Sequence, residues 1–371
     1  MGDSEKRDPV YYGGYLQLDR LLDCQKPLAE TVGRPAHDEM LFIVVHQAYE
    51  LWFRQILYEL DEIERLFAED PVNDRSMGPA DRLLGRIHEI LRVAVQHLDI
   101  LETMTPLDFL EFRDVLYPAS GFQSVQFRMI ETRLGLKRAD RMTYDRQPYD
   151  ARLSEDDRQR MREVDEKPSL SDLIERWLER TPFMETGGWT FTEAFRAAVN
   201  DALDRDIAYL RDDSSLDDEH RQREAARLTA AKGRFDALFD ADAHAAAQAE
   251  GQWRWSMRAL QAALFINLYR DEPVLHLPFR CLSRLMDLDE ALTNWRYRHA
   301  LMVQRMIGLK IGTGGSSGSD YLKTTADKHR IFKDLFALST FLIPRSSLPA
   351  LPEGLRASMG FNYGPITDRK G

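Results

Sequence analysis

Apolar side chains recur at helical intervals along almost the whole chain. Leu41, Val45, Ala48, Trp52, Ile56, Leu60, Ile63 and Phe67 follow one another at steps of three and four, which predicts one amphipathic helix over about 39–68. Pro79 suits the first turn of a second helix, with the stripe Leu83, Ile87, Ile90, Leu91, Ala94, Leu98 and Leu101. Thr105-Pro106-Leu107-Asp108 has the form of a capping box with proline at the first helical position, and Tyr117-Pro118 closes that short helix. A further helix runs through Ile130 and stops near Gly135.

From about 138 to 167 the chain is dense in Arg, Asp and Glu with little periodic apolar content, which reads as a surface excursion or mobile loop. Helices are predicted again at 169–180, 192–212 and 217–239, the last two forming a charged antiparallel arm. The Ala-rich 243–249 reads as a helical fragment or loop, followed by helices at 256–269, 287–308 and 320–342. Strand-like alternation is scarce and no Pro/Gly/Ser linker separates two cores, so the fold class is all-α: one large helical domain with an inserted arm. Its expected parts are an N-terminal segment 1–35, a core of 36–137 with 251–345, an insertion 138–250 and a tail 346–371.

The 371 residues are long enough to bury a sizeable core. A net charge of -11 argues against a nucleic-acid binder, which brings positive charge to the phosphate backbone. Cys24 and Cys281 are the only cysteines, so no disulfide framework or CxxC site is available and a reducing, cytoplasmic compartment is expected. No apolar run reaches the ~18–20 residues of a spanning helix, and the polar MGDSEKRDPV has no signal-peptide core, so no membrane partner is expected.

Candidate chemistry concentrates at a few anomalies. His46 lies in the strongly apolar LFIVVHQAYELWF, one turn after Phe42. His299 lies on the stripe Leu288, Leu292, Trp295, His299, Met302, Met306. A histidine inside an apolar stripe needs a hydrogen-bond partner or a metal; a core histidine bonded to a carbonyl and an axial haem ligand both answer that need. No HExxH is present, and zinc is less attractive. His88, His97, His220, His244, His276 and His329 read as surface or packing residues. Gly312-Thr313-Gly314-Gly315-Ser316-Ser317-Gly318 is a flexible linker or a lid whose backbone closes over a small ligand, with Thr313 offering a hydroxyl. Arg113 either pairs with Glu111 or Asp114 or binds a substrate carboxylate through its planar fork. Tyr11-Tyr12-Gly13-Gly14-Tyr15 reads as a terminus docking on a core or on another subunit.

Together, YGGYLQLDRLL (12–22), HDEMLFIVVHQAYELWFRQILYEL (37–60), FRDVLYPASGFQSVQFRMIE (112–131), WRYRHALMVQRMIGLKIGTGGSSG (295–318) and FALSTFLIPR (336–345) resemble the tryptophan 2,3-dioxygenase family across nearly the whole chain. The resemblance implies a mostly helical haem b enzyme, a homotetramer, that opens the indole 2,3 bond of L-tryptophan with O2 to give N-formyl-L-kynurenine. His299 matches the proximal iron ligand and His46 the distal histidine that bonds the indole N–H. Phe42 matches the residue packing on the indole, Arg113 the carboxylate-binding arginine, and Thr313 the loop threonine at the amino-acid end. Tyr12 and Tyr15 match tyrosines that reach into a neighbouring subunit's pocket. Phe109 stands where some members carry a tyrosine that helps hold the carboxylate, so that hydroxyl is absent here. Trp295, Ser120 and Arg128 match residues near the haem and its propionates. Ser319 departs from the residue many members carry there. Close relatives that accept alkylated tryptophan or insert one oxygen to give an oxindole make a monooxygenase the alternative, and a haem-binding sensor without turnover is the alternative from another class.

Overall fold

A computed structural model describes residues 9–141, 153–212, 217–236, 238–308, 310 and 319–361. The chain enters through three short turns, α1 (Tyr12–Leu16), α2 (Leu18–Leu21) and α3 (Leu28–Thr31). The buried Glu39 carboxylate ties the last of these down, accepting from the backbone N–H groups of Leu28 at 2.7 Å and Ala29 at 2.9 Å. Two donors left open at a helix start thereby gain an acceptor.

The core is a set of long helices. α4 (Glu39–Ala68) packs on α5 (Met77–Leu101), and α5 lies along α14 (Pro273–Ile307). Their shared seam is closed by Ile56, Leu60, Ile63, Leu84, Ile87, Leu285 and Leu288, all fully buried. Each such side chain contributes roughly 1.5–3 kcal/mol. α4 spans the predicted 39–68, but its buried stripe is turned slightly: Tyr49 and Phe53 face inward while Trp52 stands half-exposed. α5 begins at Met77, two residues earlier than Pro79 alone suggests; the proline still falls in the first turn, where its missing N–H has no partner to lose.

α6 (Pro106–Phe112) starts with the predicted box, the Thr105 hydroxyl accepting from the Asp108 N–H and the Asp108 carboxylate from the Thr105 N–H. A 3-10 turn (Arg113–Leu116) follows, then α7 (Val125–Leu134). α7 stops at Gly135, whose φ of +133° lies outside the range of L side chains. A Cβ there would sit 2.6 Å from the Ser171 Cβ, so Gly135→Ala should lower the denaturation midpoint by an amount equivalent to about 2–4 kcal/mol. A variant as stable as wild type would refute this account of the close approach.

The charged stretch 138–167 is partly helical, contrary to expectation. α8 (Glu155–Asp165) is capped by the Ser154 hydroxyl and buries Met161 against α7. One methionine on an otherwise charged helix is too thin a stripe for periodicity to detect. α9 (Leu170–Glu179) leads to a two-stranded ribbon, β1 (Glu185–Thr186) and β2 (Trp189–Thr190), turned through Gly187 and Gly188 at φ of +53° and +85°. α10 (Phe191–Asp212) and α11 (Asp218–Asp236) pair as the predicted arm, rooted by buried Phe191, Phe195 and Val199. α12 (Ala241–Ala249) is helical, and α13 (Met257–Leu268) is enclosed on nearly every side, as its apolar stretch Ala262, Ala263, Leu264, Phe265 and Ile266 requires.

Two boundaries differ from the periodicity. α14 starts at Pro273 rather than near 287, because its early turns carry Pro278, which withholds one amide donor, and no clean stripe. The single helix predicted over 320–342 is broken into α15 (Ser319–Lys328), α16 (Lys333–Leu338) and a 3-10 turn (Ser339–Phe341). Asp289, buried on α14, makes the break: its carboxylate accepts from the Ile331 N–H at 3.0 Å and the Phe332 N–H at 3.2 Å. α17 (Glu353–Ser358) follows, and the Val274 N–H donates to the Met359 carbonyl just beyond it at 3.1 Å.

Candidate active site

α4, α6, α7 and α14 converge on a cavity of about 280 Å³. α4 supplies Phe42, His46, Tyr49 and Phe53 from a single stripe at steps of four, three and four. α14 supplies Trp295, Arg296, His299 and Met302 from the opposite wall. Phe109 and Arg113 close one side. Ser120, Phe122, Phe127, Arg128 and Glu131 close another. Of the residues singled out from the sequence, Phe42, His46, Phe109, Arg113, Ser120, Arg128, Trp295 and His299 therefore share one cavity. Tyr12 and Tyr15 do not: they sit on α1, 75% and 76% exposed. Thr313 and the glycine-rich 312–318 lie outside the described residues.

The two imidazoles differ in their bonding. His46 Nδ1 lies 2.7 Å from the Phe42 carbonyl oxygen. A carbonyl only accepts, so Nδ1 carries the proton and Nε2 keeps a lone pair for a donor in the cavity. Burial lowers the basicity of His46, against the pull of that carbonyl and of Glu50, and favours the neutral ring. His299 is held differently. Trp295, one turn earlier on α14, stacks parallel to it with centroids 5.1 Å apart and planes within 3°. Its Nδ1 is buried with no hydrogen-bond partner among the described residues. Burial pushes its pKa down to about 4, with repulsion from His46, on the same cavity, as the second cause.

Phe42 lies tilted against His46 at 4.0 Å between centroids, stacks with Phe109 at 5.8 Å and meets Phe112 edge-on at 5.6 Å, making an aromatic cluster. Of the two neighbours offered for Arg113, Asp114 is engaged by Arg34 at 2.8 Å. Ser120 caps a 3-10 turn by accepting from the Phe122 N–H.

Several cavity residues went unmarked as candidates in the sequence, Tyr49, Glu131, Arg296 and His329 among them. Tyr49 is buried, its O–H donating to the Ala94 carbonyl at 2.7 Å, and its ring meets Trp295 edge-on. Glu131, Arg296 and His329 form the charged end. His329 reads from sequence as a packing residue because it lies where α15 was expected to continue; the break made by Asp289 brings it to the cavity instead. His244 is the core histidine the sequence suggests, its Nε2 3.0 Å from the Trp255 carbonyl.

Burial also pushes His329 down to about 4, against the attraction of Glu131. The unfolded chain binds a proton on each of these two rings near pH 6.5, the folded chain only near 4. Between those values the unfolded state holds more protons, so stability is present above about 6.5 and is lost as pH falls toward 4. The cofactor-free chain should lose denaturation midpoint across that window, and His329→Gln should make the slope shallower by about 1.4 kcal/mol per pH unit. An unchanged slope would mean that His329 takes up its proton in the folded state as readily as in the unfolded one.

The structure is an all-α bundle in which two buried imidazoles, both favoured in the neutral form, line one largely aromatic cavity. The resemblance to characterised proteins narrows this further. The family model for tryptophan 2,3-dioxygenase matches residues 2–342. A tryptophan 2,3-dioxygenase of Bdellovibrio bacteriovorus is 50% identical over 358 residues, covering 96% of this chain and 100% of its own. Those of Alteromonas mediterranea and Dictyostelium discoideum are each 45% identical, covering 95% of this chain and 98% and 89% of their own. The chain belongs to the tryptophan 2,3-dioxygenase family.

Proposed function

We propose that the chain is a haem-dependent dioxygenase that opens the indole 2,3 bond of L-tryptophan with O2, giving N-formyl-L-kynurenine. The observation that carries this reading is that His46 and His299 line one cavity together with Phe42 and Arg113. Among the described residues no group of three or more His, Cys, Asp or Glu side chains could bind a metal ion, so a metal here must bring most of its own ligands. A haem b does so and asks the protein for one neutral imidazole in an apolar sleeve. His299, neutral and buried with an unpartnered Nδ1, fits that role, and Trp295 stacked on it fixes the ring's orientation.

The oxygen chemistry is what a haem supplies when bound; the protein binds, orients and excludes water. Phe42 and Phe109 provide a flat surface for the indole. His46 Nε2 accepts the indole N–H, since its own proton is committed to the Phe42 carbonyl. An indole N–H is too weak an acid for imidazole to ionise, so His46 orients. Arg113 pairs with the substrate carboxylate, and Thr313 takes the amino-acid end from the lid. Ser120 and Arg128 serve the cofactor edge. Both oxygen atoms enter the product and no electrons are consumed in the balance.

His46→Ala should lower kcat/KM about tenfold, the worth of one hydrogen bond of ~1.4 kcal/mol, with haem content unchanged. Complete loss with haem and substrate still bound would make His46 more than an orienting group. The purified, reduced, haem-loaded chain given L-tryptophan and 18O2 tests the function itself. Two labels in N-formyl-L-kynurenine are expected; one label, in an oxindole, or a haem spectrum without turnover would overturn it.

The core is assigned to 36–137 with 251–345, the insertion to 138–250 and the tail to 346–371. A homotetramer is supported by the exposed apolar surface at the N-terminal end. Met40, Val44, Leu51 and Tyr58 form an outward stripe on α4, and the exposure of Tyr12 and Tyr15 on α1 supports their assignment to a neighbouring copy's cavity. Sedimentation as four chains is expected, and a monomer at micromolar concentration would exclude it. No helix among the described residues is long and apolar enough to cross a membrane.

A further inference from the structure

Glu50 and Glu131 both bring a carboxylate to the cavity, and their surroundings differ. Glu131 is enclosed by Arg141, Arg128 and Arg296, which donate to it at 2.7, 3.1 and 2.8 Å. Glu50, half-buried on α4, makes no ion pair among the described residues. Its contact is the Gln126 amide of α7, whose Nε2 donates to the Glu50 carbonyl at 2.9 Å and to the carboxylate Oε2 at 2.7 Å. A neutral amide orients a carboxylate without cancelling its charge, so Gln126 fixes a negative group in the cavity wall.

Glu50 follows His46 by four residues, so the two side chains share one face of α4 with Cβ atoms roughly 5–6 Å apart. Both reach the cavity. Burial makes the His46 ring less basic, while the Phe42 carbonyl and the Glu50 charge act the other way. The Phe42 carbonyl holds the Nδ1 proton at 2.7 Å, so Nε2 is the atom that meets the indole N–H. Before reaction that is a hydrogen bond between two neutral groups, which a nearby charge affects little. As the 2,3 bond gives up electron density to oxygen, positive charge develops on the indole nitrogen and its N–H becomes a stronger donor. Part of that charge passes to the His46 ring. A fixed negative group one turn away then stabilises the pair more than it did before, which raises kcat rather than tightening binding.

We propose that Glu50, held by Gln126, is a positioning residue that acts through His46 and stabilises the positive charge which the indole N–H and the His46 Nε2 share while the 2,3 bond is attacked. No proton leaves the pair: the charge is withdrawn when the ring opens, so the balance of atoms and electrons is that of the parent reaction. The inference rests on the dioxygenase reading above and adds to it a carboxylate whose contribution falls on the chemical step.

The test is a double-mutant cycle on the haem-loaded chain. Glu50→Gln removes the charge at nearly constant shape and leaves an amide oxygen for Gln126. Equilibrium binding of L-tryptophan, measured without oxygen, should stay within about twofold of wild type, while kcat falls about tenfold, or ~1.4 kcal/mol. In the His46→Ala background the same substitution should cost less than about twofold, because no imidazole then carries charge toward Glu50. Glu50→Asp, which keeps the charge, should hold kcat within about threefold of wild type. Fluorinated tryptophans, which draw electrons from the indole, should lose about twofold more rate in Glu50→Gln than they do in wild type. A Glu50→Gln kcat equal to wild type, or a tenfold loss that persists in His46→Ala, overturns the proposal. Should Glu50→Gln fail to fold, Gln126→Leu keeps the charge but frees the carboxylate, and its expected loss of about threefold in kcat should also vanish with His46→Ala. A loss that persists there, or no loss at all, overturns the proposal as well. Wild type that forms no N-formyl-L-kynurenine sinks the dioxygenase reading instead.

Discussion

His299→Ala should purify as a folded helical protein that retains little haem and turns over L-tryptophan at least about a thousandfold more slowly than wild type, a loss of ~4 kcal/mol or more. The size follows from what the side chain is asked to do. Its imidazole is buried and favoured in the neutral form, and its Nδ1 has no hydrogen-bond partner among the described residues. Trp295 covers its face at 5.1 Å, so alanine leaves an imidazole-shaped gap that Trp295 alone cannot fill. Added imidazole should enter that gap and restore part of the haem spectrum and part of the rate. Rescue separates a ligand from a packing residue, since a merely destabilised core gains nothing from a free ligand. A haem-replete, fully active His299→Ala would remove the axial assignment and with it the orientation of the whole cavity.

What could be read from the chain beforehand was whatever periodicity and capping encode locally. The limits of α4, the box at Thr105 and Asp108, and the placing of two histidines inside apolar stripes need no knowledge of distant partners. Contacts far apart in sequence decided the rest. Asp289 breaks the last long helix by accepting two amides some forty residues away, and nothing in the 320–342 pattern announces it. Glu131 and Arg128, three apart on a helix, have the spacing of an ordinary solvated pair. Only the arrival of Arg296 from 165 residues later, and of Arg141 after the turn beyond Gly135, makes that pair an interior cluster. His329 was passed over for the same reason, because its neighbourhood is created by the break at Asp289. Phe42, His46, Trp295 and His299, with Arg113 and Arg128, were thus visible in sequence as candidates, whereas Glu131, Arg296 and His329 were not.

Arg113→Met should reduce kcat/KM for L-tryptophan by about a hundredfold or more, mostly through KM, while leaving haem content unchanged. Removing one partner of a desolvated, hydrogen-bonded charge pair costs about 2–5 kcal/mol, and methionine keeps the stem while deleting the fork. The neighbouring position strengthens the expectation. Phe109 brings no hydroxyl to share the carboxylate, so more of the recognition falls on Arg113 here than in relatives with tyrosine at that place. Asp114, next along the chain, pairs with Arg34 at 2.8 Å. Tryptamine, which lacks the carboxylate, gives the control. Wild type should favour L-tryptophan over it strongly, and Arg113→Met should handle the two within a few-fold of each other. Phe109→Tyr should recover part of the lost preference in the Arg113→Met background, since a phenol O–H placed beside Phe42 gives the carboxylate one neutral donor worth about 1 kcal/mol. An Arg113→Met chain that still prefers L-tryptophan as strongly as wild type would place the carboxylate elsewhere in the cavity.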